Sequence, residues 1–249
     1  MKRYTAILCD LFETIVTFDR SGLPRTVFGD STVPSTVPVL LEILAERWAP
    51  LPSEAAVLRA LIEVSNEVQS EREADLVERS SRVRFARTLE RLGAPDPARE
   101  PEFVERLVEC HMGLLDRCTF LPDGHGAALE RLTANHRLAL VSNFDHGPTC
   151  LRILDRLDLT RFFEEIVVSD LVGLVKPHPA LFEQPLEQMG IAAGDALFVG
   201  DTPGADVQGA KNAGLDVAWI NAKGNPLSAE IPTPDFVIAS FADLPELLR

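Results

Sequence analysis

Ala6-Ile7-Leu8-Cys9-Asp10-Leu11-Phe12-Glu13-Thr14 is an apolar run that ends on a carboxylate. Such a run, flanked by polar residues, reads as a buried strand followed by a loop. Three later pieces belong with it: Leu140-Val141-Ser142-Asn143, Lys176-Pro177, and Phe198-Val199-Gly200-Asp201 with Asp206 behind it. In a parallel sheet the residues at the carboxyl ends of neighbouring strands converge on one crevice. An aspartate, a serine, a lysine and two further carboxylates would therefore meet there, although far apart in sequence.

The pattern around these pieces supports a parallel sheet. After Pro122-Asp123-Gly124, helical and strand segments alternate to the end of the chain. Helices are expected at 126–134, 148–157, 179–189, 205–213 and 244–248, and strands at 136–142, 163–169, 196–200, 217–221 and 235–239. Alternation of this kind implies right-handed crossovers and an α/β fold. Between the first strand and this region the character differs. Residues 14–37 read as irregular, punctuated by Gly22, Pro24, Gly29 and Pro34. Segments 37–48, 53–71, 75–92 and 101–117 carry apolar residues three and four apart, which is helical spacing. No strand is expected in this part. The chain thus reads as an α/β core, 1–15 and 119–249, interrupted by a helical insertion at 16–118.

Composition narrows the function classes. The 249 residues are 46% hydrophobic and 25% charged, with a net charge of -14. That charge argues against nucleic acid and against an anionic membrane surface, since both demand basic patches. A small phosphorylated ligand is still compatible, because a local positive site or a cation can hold it. No apolar run approaches the roughly 20 residues that span a bilayer, and Met1-Lys2-Arg3-Tyr4-Thr5 lacks the apolar segment of a signal peptide. Cys9, Cys110, Cys118 and Cys150 show no CxxC spacing and read as reduced thiols of a cytoplasmic protein. Alternation along the strand points Cys9 away from Asp10.

The four pieces, in this order, resemble the haloacid dehalogenase (HAD) superfamily, most of whose members are magnesium-dependent phosphatases. The likeness covers nearly the full length. It implies a Rossmann-like core, and it identifies the helical insertion with the family's type-one cap, which contributes to substrate choice. By this resemblance Asp10 is the nucleophile that forms a phospho-aspartate, while Ser142 and Lys176 hold and neutralise the phosphoryl group. Thr14 and the backbone N–H of Asn143 contact the substrate. Mg2+ is bound by Asp10, Asp201 and the backbone carbonyl of Phe12, with Asp206 behind them beside water or Lys176. The chemistry is consistent: three anions in one crevice repel strongly, one lysine cannot balance them, and a hard divalent cation can. Lys176 is one of only four lysines in the chain. In the insertion, Arg84 stands in an arginine-rich stretch with Arg82 and Arg87 and is a candidate for binding a substrate anion; a solvated, ion-paired helix face is the alternative for each.

Phe12 departs from the phosphatase pattern, which has a second aspartate at this position as general acid and base. Three readings stand. One is a phosphatase of a small phosphorylated metabolite, with another proton donor (Glu13, Asp19, His146 or His178) or a good leaving group. Another is a 2-haloacid dehalogenase acting on a halogenated metabolite: that branch has an aromatic residue here and often Ser-Asn at 142–143, but it lacks an aspartate at 201. The third is a non-catalytic HAD scaffold. Phosphonate cleavage needs a cap lysine, and residues 16–118 contain none. Phosphomutase chemistry needs the missing acid-base.

Overall fold

The computed structural model describes residues 2–249. In chain order they form β1 (Ala6–Cys9), β2 (Thr17–Phe18), β3 (Arg25–Phe28), β4 (Ser31–Pro34), α1 (Val37–Leu44), α2 (Glu54–Asp75), α3 (Ser81–Arg91), α4 (Asp96–Arg99) and α5 (Pro101–Cys118). There follow β5 (Thr119–Phe120), α6 (His125–Thr133), β6 (Arg137–Ser142), α7 (Gly147–Arg156), β7 (Glu165–Val168), α8 (Ser169–Val172), α9 (Ala180–Met189) and β8 (Ala196–Gly200). A π-helical turn, Pro203–Val207, runs into α10 (Gln208–Asn212), and β9 (Asp216–Ile220), β10 (Phe236–Ile238) and α11 (Leu244–Leu247) complete the chain. Two compact units result: residues up to Phe18 with Phe120–Arg249, and Asp19–Thr119.

The first unit is built on a six-stranded sheet in the order β10-β9-β8-β1-β6-β7, parallel throughout. β1 is central because both its edges are used: Ile7 lies opposite Leu138 of β6 and Leu197 of β8. Side chains alternate between two apolar layers, as the pleat requires. Ile7, Cys9, Leu138, Leu140, Leu197 and Val199 enter one layer. Ala6, Leu8, Ala139, Val141, Ala196 and Phe198 enter the other. Both faces are covered, which is why these strands read as continuous apolar runs. Cys9 is fully buried on the face opposite Leu8, and burial pushes its thiol far above the ordinary range.

The second unit is mainly helical, with one correction to the expected absence of strands. β3 and β4 form an antiparallel hairpin whose register runs from Arg25 opposite Pro34 to Phe28 opposite Ser31. The loop is two residues, Gly29-Asp30, with Gly29 at φ +60°. That dipeptide between two short stretches with β-branched residues, Thr26-Val27 and Thr32-Val33, is a hairpin signal, masked in the sequence by Pro24 and Pro34. A second correction concerns the helix expected at 75–92. α2 runs on to Asp75 and stops because Leu76 turns left-handed at φ 57°, its N–H bonded to Arg72 O. Asp75 Oδ1 then accepts the Val77 N–H at 3.0 Å, and α3 starts afresh at Ser81. Likewise the helix expected at 205–213 opens as the π-helical turn. Among the described residues no helix is long and apolar enough to cross a membrane.

Candidate active site

Asp10 follows β1 directly and is tied to the next strand by its own N–H, which donates to Val199 O at 2.9 Å. Ser142 is the last residue of β6 and Asp201 the first after β8. Asp206 is carried back over the sheet by the π-helical turn, its N–H bonded to Thr202 O at 2.8 Å. Lys176 arrives from the loop between α8 and α9. Strand order, rather than proximity in sequence, brings the four charged groups together.

Lys176 Nζ donates to Asp10 Oδ1 at 2.8 Å and to Val141 O at 2.9 Å, and pairs with Asp206 Oδ1 at 2.8 Å. Both Lys176 and Asp206 are buried. Carboxylate atoms of Asp10, Asp201 and Asp206 lie within 4.8 Å of one another. Burial, with the negative charges of Asp206 and Asp201, pushes Asp10 up to about 7 against the pull of Lys176. Burial and Asp206 also raise Asp201. Burial alone would lower Lys176, but Asp10 and Asp206 outweigh it and hold the ammonium above its ordinary range.

This donor set fits a hard cation. Three carboxylates face one ammonium, and oxygen ligands of this kind suit magnesium. The Phe12 carbonyl is also free of the turn's own bonds, which run from Val16 N–H to Leu11 O at 2.9 Å and from Glu13 N–H to Val16 O at 2.7 Å. Two buried hydroxyls, Ser142 Oγ and Thr14 Oγ1, have no hydrogen-bond partner among the described residues. An orphaned buried hydroxyl is costly, and each of the two is a ready donor for a ligand oxygen.

The remaining sequence candidates are placed as follows. Phe12 is stacked between Phe18, ring centroids 5.1 Å apart and 3° from parallel, and Phe144 at 4.5 Å and 25°. Glu13 is exposed and accepts from Thr17 Oγ1 at 2.8 Å. His146 is buried, its Nδ1 2.9 Å from Thr149 Oγ1. His178 Nδ1 accepts the Ala180 N–H at 3.2 Å. Asp19 belongs to the helical unit and accepts from the Ser21 N–H at 2.9 Å. Arg84 lies on α3, its guanidinium 5.6 Å from the centre of the Phe85 ring. Arg82 is paired with Glu105, and Arg87 with Glu71 at 2.7 Å. Lys211 pairs with Asp235 at 2.9 Å.

Sequence reasoning missed three supports. Trp219 Nε1–H donates to Asp201 O at 2.9 Å, fixing the residue after β8 from β9. Thr202 N–H donates to Asp206 Oδ2 at 2.9 Å. The Asn143 amide bonds to the backbone of Lys176. Only the Gly200-Asp201 junction hinted at the first two. Gly200 itself is required by space, since a Cβ there would sit 2.4 Å from Asp206 Oδ2. Gly200→Ala is therefore expected to cost about 1–3 kcal/mol of stability, the usual price of overpacking, and to displace Asp206 from Lys176. A thermal melt together with a crystal structure of the variant checks both.

Comparisons with known proteins identify the family. A model of the haloacid dehalogenase-like hydrolase family matches residues 4–214. N-acylneuraminate-9-phosphatase of Mus musculus is 33% identical over 130 residues, which is 52% of this chain and 52% of that protein. Pyrimidine 5'-nucleotidase YjjG of Escherichia coli is 31% identical over 166 residues, 66% of this chain and 69% of that protein. The match thus spans about half the length of the first and about two thirds of the second. The magnesium-bound HAD-hydrolase YfnB of Bacillus subtilis superposes over 100% of both chains with a TM-score of 0.67 and 25% identity. A 2-haloacid dehalogenase of Pseudomonas syringae shares the fold, with a TM-score of 0.71, 22% identity, and coverage of 100% of this chain and 98% of that one. With a parallel sheet whose strand ends gather Asp10, Lys176, Asp201 and Asp206, and a family match across most of its length, the chain belongs to the haloacid dehalogenase-like hydrolases.

Proposed function

We propose that this chain is a magnesium-dependent phosphatase of a small phosphorylated metabolite, acting in the cytoplasm through a phospho-aspartate on Asp10. The reading rests on one cluster. Asp10 is held at 2.8 Å by Lys176, Asp201 and Asp206 stand beside it, and the Ser142 hydroxyl is buried without a partner. Asp10 attacks phosphorus, the P–O bond to the leaving group breaks, and water then hydrolyses the acyl phosphate, returning the carboxylate and releasing phosphate. Lys176 and Ser142 hold the equatorial oxygens as charge develops on them. Mg2+, held by Asp10, Asp201 and the Phe12 carbonyl, would neutralise the phosphoryl charge. The helical unit, 19–119, is assigned the role of the cap that governs substrate choice, and Arg84 is its candidate for a substrate anion. That relatives include phosphatases of a phosphorylated sugar acid and of nucleotides supports a phosphoester substrate.

The dehalogenase reading draws on one feature, Phe12 with Ser142-Asn143, and is opposed by another. A carboxylate at Asp201 would repel both the nucleophile and a carboxylate substrate. A parallel screen of phosphoesters, acyl phosphates and 2-haloacids, each with magnesium and with chelator, tests the proposal. Phosphate release that requires magnesium supports it, and 2-haloacid turnover in chelator overturns it.

Phe12 adds an expected result. A phenyl ring cannot protonate the leaving oxygen, so rate should depend steeply on leaving-group pKa, and aryl and acyl phosphates should far outrun alkyl phosphates. Phe12→Asp should raise alkyl phosphate turnover by about 10-fold, less than the roughly 10²–10⁴ that a well-placed acid supplies. The shortfall follows from its site: the new carboxyl replaces a ring sandwiched by Phe18 and Phe144, and losing two such stacks costs about 1–3 kcal/mol of stability. The slope of log rate against leaving-group pKa, measured for both forms, checks the expectation. A shallow slope unchanged by the substitution would show that another residue donates the proton.

A further inference from the structure

We propose that Asn143 is a positioning residue that acts through Lys176, a role distinct from contacting the substrate. The inference rests on the phosphatase reading for its kinetic consequences, but its geometry stands apart from it. Asn143 Oδ1 accepts the Lys176 N–H at 2.8 Å, and Asn143 Nδ2 donates to Lys176 O at 3.1 Å. One side-chain amide thus takes both polar groups of one backbone residue, as a neighbouring strand would. The amide orientation is fixed by its partners, because the Lys176 N–H must face an acceptor.

Lys176 needs this help. It lies in a loop with no sheet or helix to receive its peptide groups, and buried peptide groups must be paired. Pro177 follows and has no N–H to offer. The local turn is closed around Lys176 rather than by it, through His178 N–H to Val175 O at 2.9 Å. Only a side chain with a donor and an acceptor on a short stem can serve both groups at once. Aspartate would bring two acceptors, and serine a single atom.

The end of β6 then has a division of labour over three residues. Val141 O receives the Lys176 ammonium at 2.9 Å. Asn143 receives the Lys176 backbone. Ser142, between them, keeps its hydroxyl without a partner among the described residues. Lysine is a flexible four-carbon stem with roughly 2 kcal/mol of rotamer entropy. Gripping it at both ends from one strand places the ammonium between Asp10 and Asp206, at 2.8 Å from each.

The test is a double-mutant cycle with aryl phosphate and magnesium, using Asn143→Ala, Lys176→Met and the pair. Asn143→Ala should lower kcat by about 10- to 100-fold, the scale of a misplaced catalytic group, with KM within about 2-fold. In the Lys176→Met background the same change should have no further effect, because residues acting as a unit are not additive. Independent, additive losses, or a loss confined to KM, would overturn the proposal. A second measurement needs no activity. Amine acylation followed by peptide mapping is simple in a chain with four lysines. Lys176 should be acylated about 5-fold faster or more in Asn143→Ala, as when local opening becomes easier, while the buried Cys9 thiol stays protected. Unchanged Lys176 labelling, or a parallel rise at Cys9 from general unfolding, would overturn the proposal. If the unmodified protein hydrolyses no phosphoester, the phosphatase reading fails while the labelling still decides the role of Asn143.

Discussion

Asp10→Asn should abolish turnover while leaving the fold intact. The amide has the shape of the carboxylate but cannot attack phosphorus, so the loss should be at least about 1,000-fold, as when the nucleophile of a covalent mechanism is removed. Stability should move the other way or not at all. Asp10 is one of three carboxylates gathered within 4.8 Å around a single buried ammonium, and burial already pushes it up to about 7. Deleting one anion relieves repulsion, and Lys176 keeps Asp206 Oδ1 and Val141 O as partners. Phosphate release and a thermal melt on the same preparation check the two halves. Activity above a small residue in a contaminant-free sample would remove Asp10 from the role of nucleophile, and a sharp drop in melting temperature would mean that its charge is structural.

Removing the divalent cation should have a comparably large effect. With chelator, Asp10, Asp201 and Asp206 must share one lysine, and an anionic phosphoester would enter a site that already carries excess negative charge. Hydrolysis should fall to background and return on adding magnesium. Asp201→Ala should weaken the site, because it leaves the cation with one oxygen ligand fewer. A rise of about 10-fold or more in the magnesium concentration for half-maximal rate is expected, the scale of losing even a residue that only supports a metal ligand. Calorimetric titration of magnesium separates weaker binding from slower chemistry. Full activity in chelator would exclude the cation from the reaction.

Much of the core was legible because its strands are buried on both faces. A parallel strand covered by two apolar layers is written as an unbroken apolar run, so β1, β6 and β8 and the polar residues that end them stand out at Asp10, Ser142 and Asp201. Lys176 stood out by scarcity. What was not legible lies between segments that no periodicity connects. The Asn143 amide reaches Lys176 across 33 positions, and Trp219 reaches Asp201 across 18. The stacking of Phe12 between Phe18 and Phe144 depends on how two loops fold over one strand end. In the helical unit the hairpin was hidden for a different reason. Its Gly29-Asp30 turn is bracketed by prolines that read as loop, while the deciding signal, an adjacent Thr-Val pair on either side, sits in strands only four residues long.

The central place of β1 has a consequence for how the molecule is made. Ala6 pairs with Arg137 on one side and with Ala196 on the other. The strand that leads into Asp10 therefore leaves the ribosome long before either neighbour exists, and it waits through the synthesis of the whole helical unit. Pairing at such sequence separation is slow, because a large loop must close before any contact rewards it. An early strand with two open edges is also a template for wrong pairing between chains. The acidic character of the chain, at a net charge of -14, opposes that association by keeping nascent copies apart. Replacing exposed carboxylates away from Asp10, Asp201 and Asp206 by neutral residues should then lower the yield of folded protein before it lowers activity.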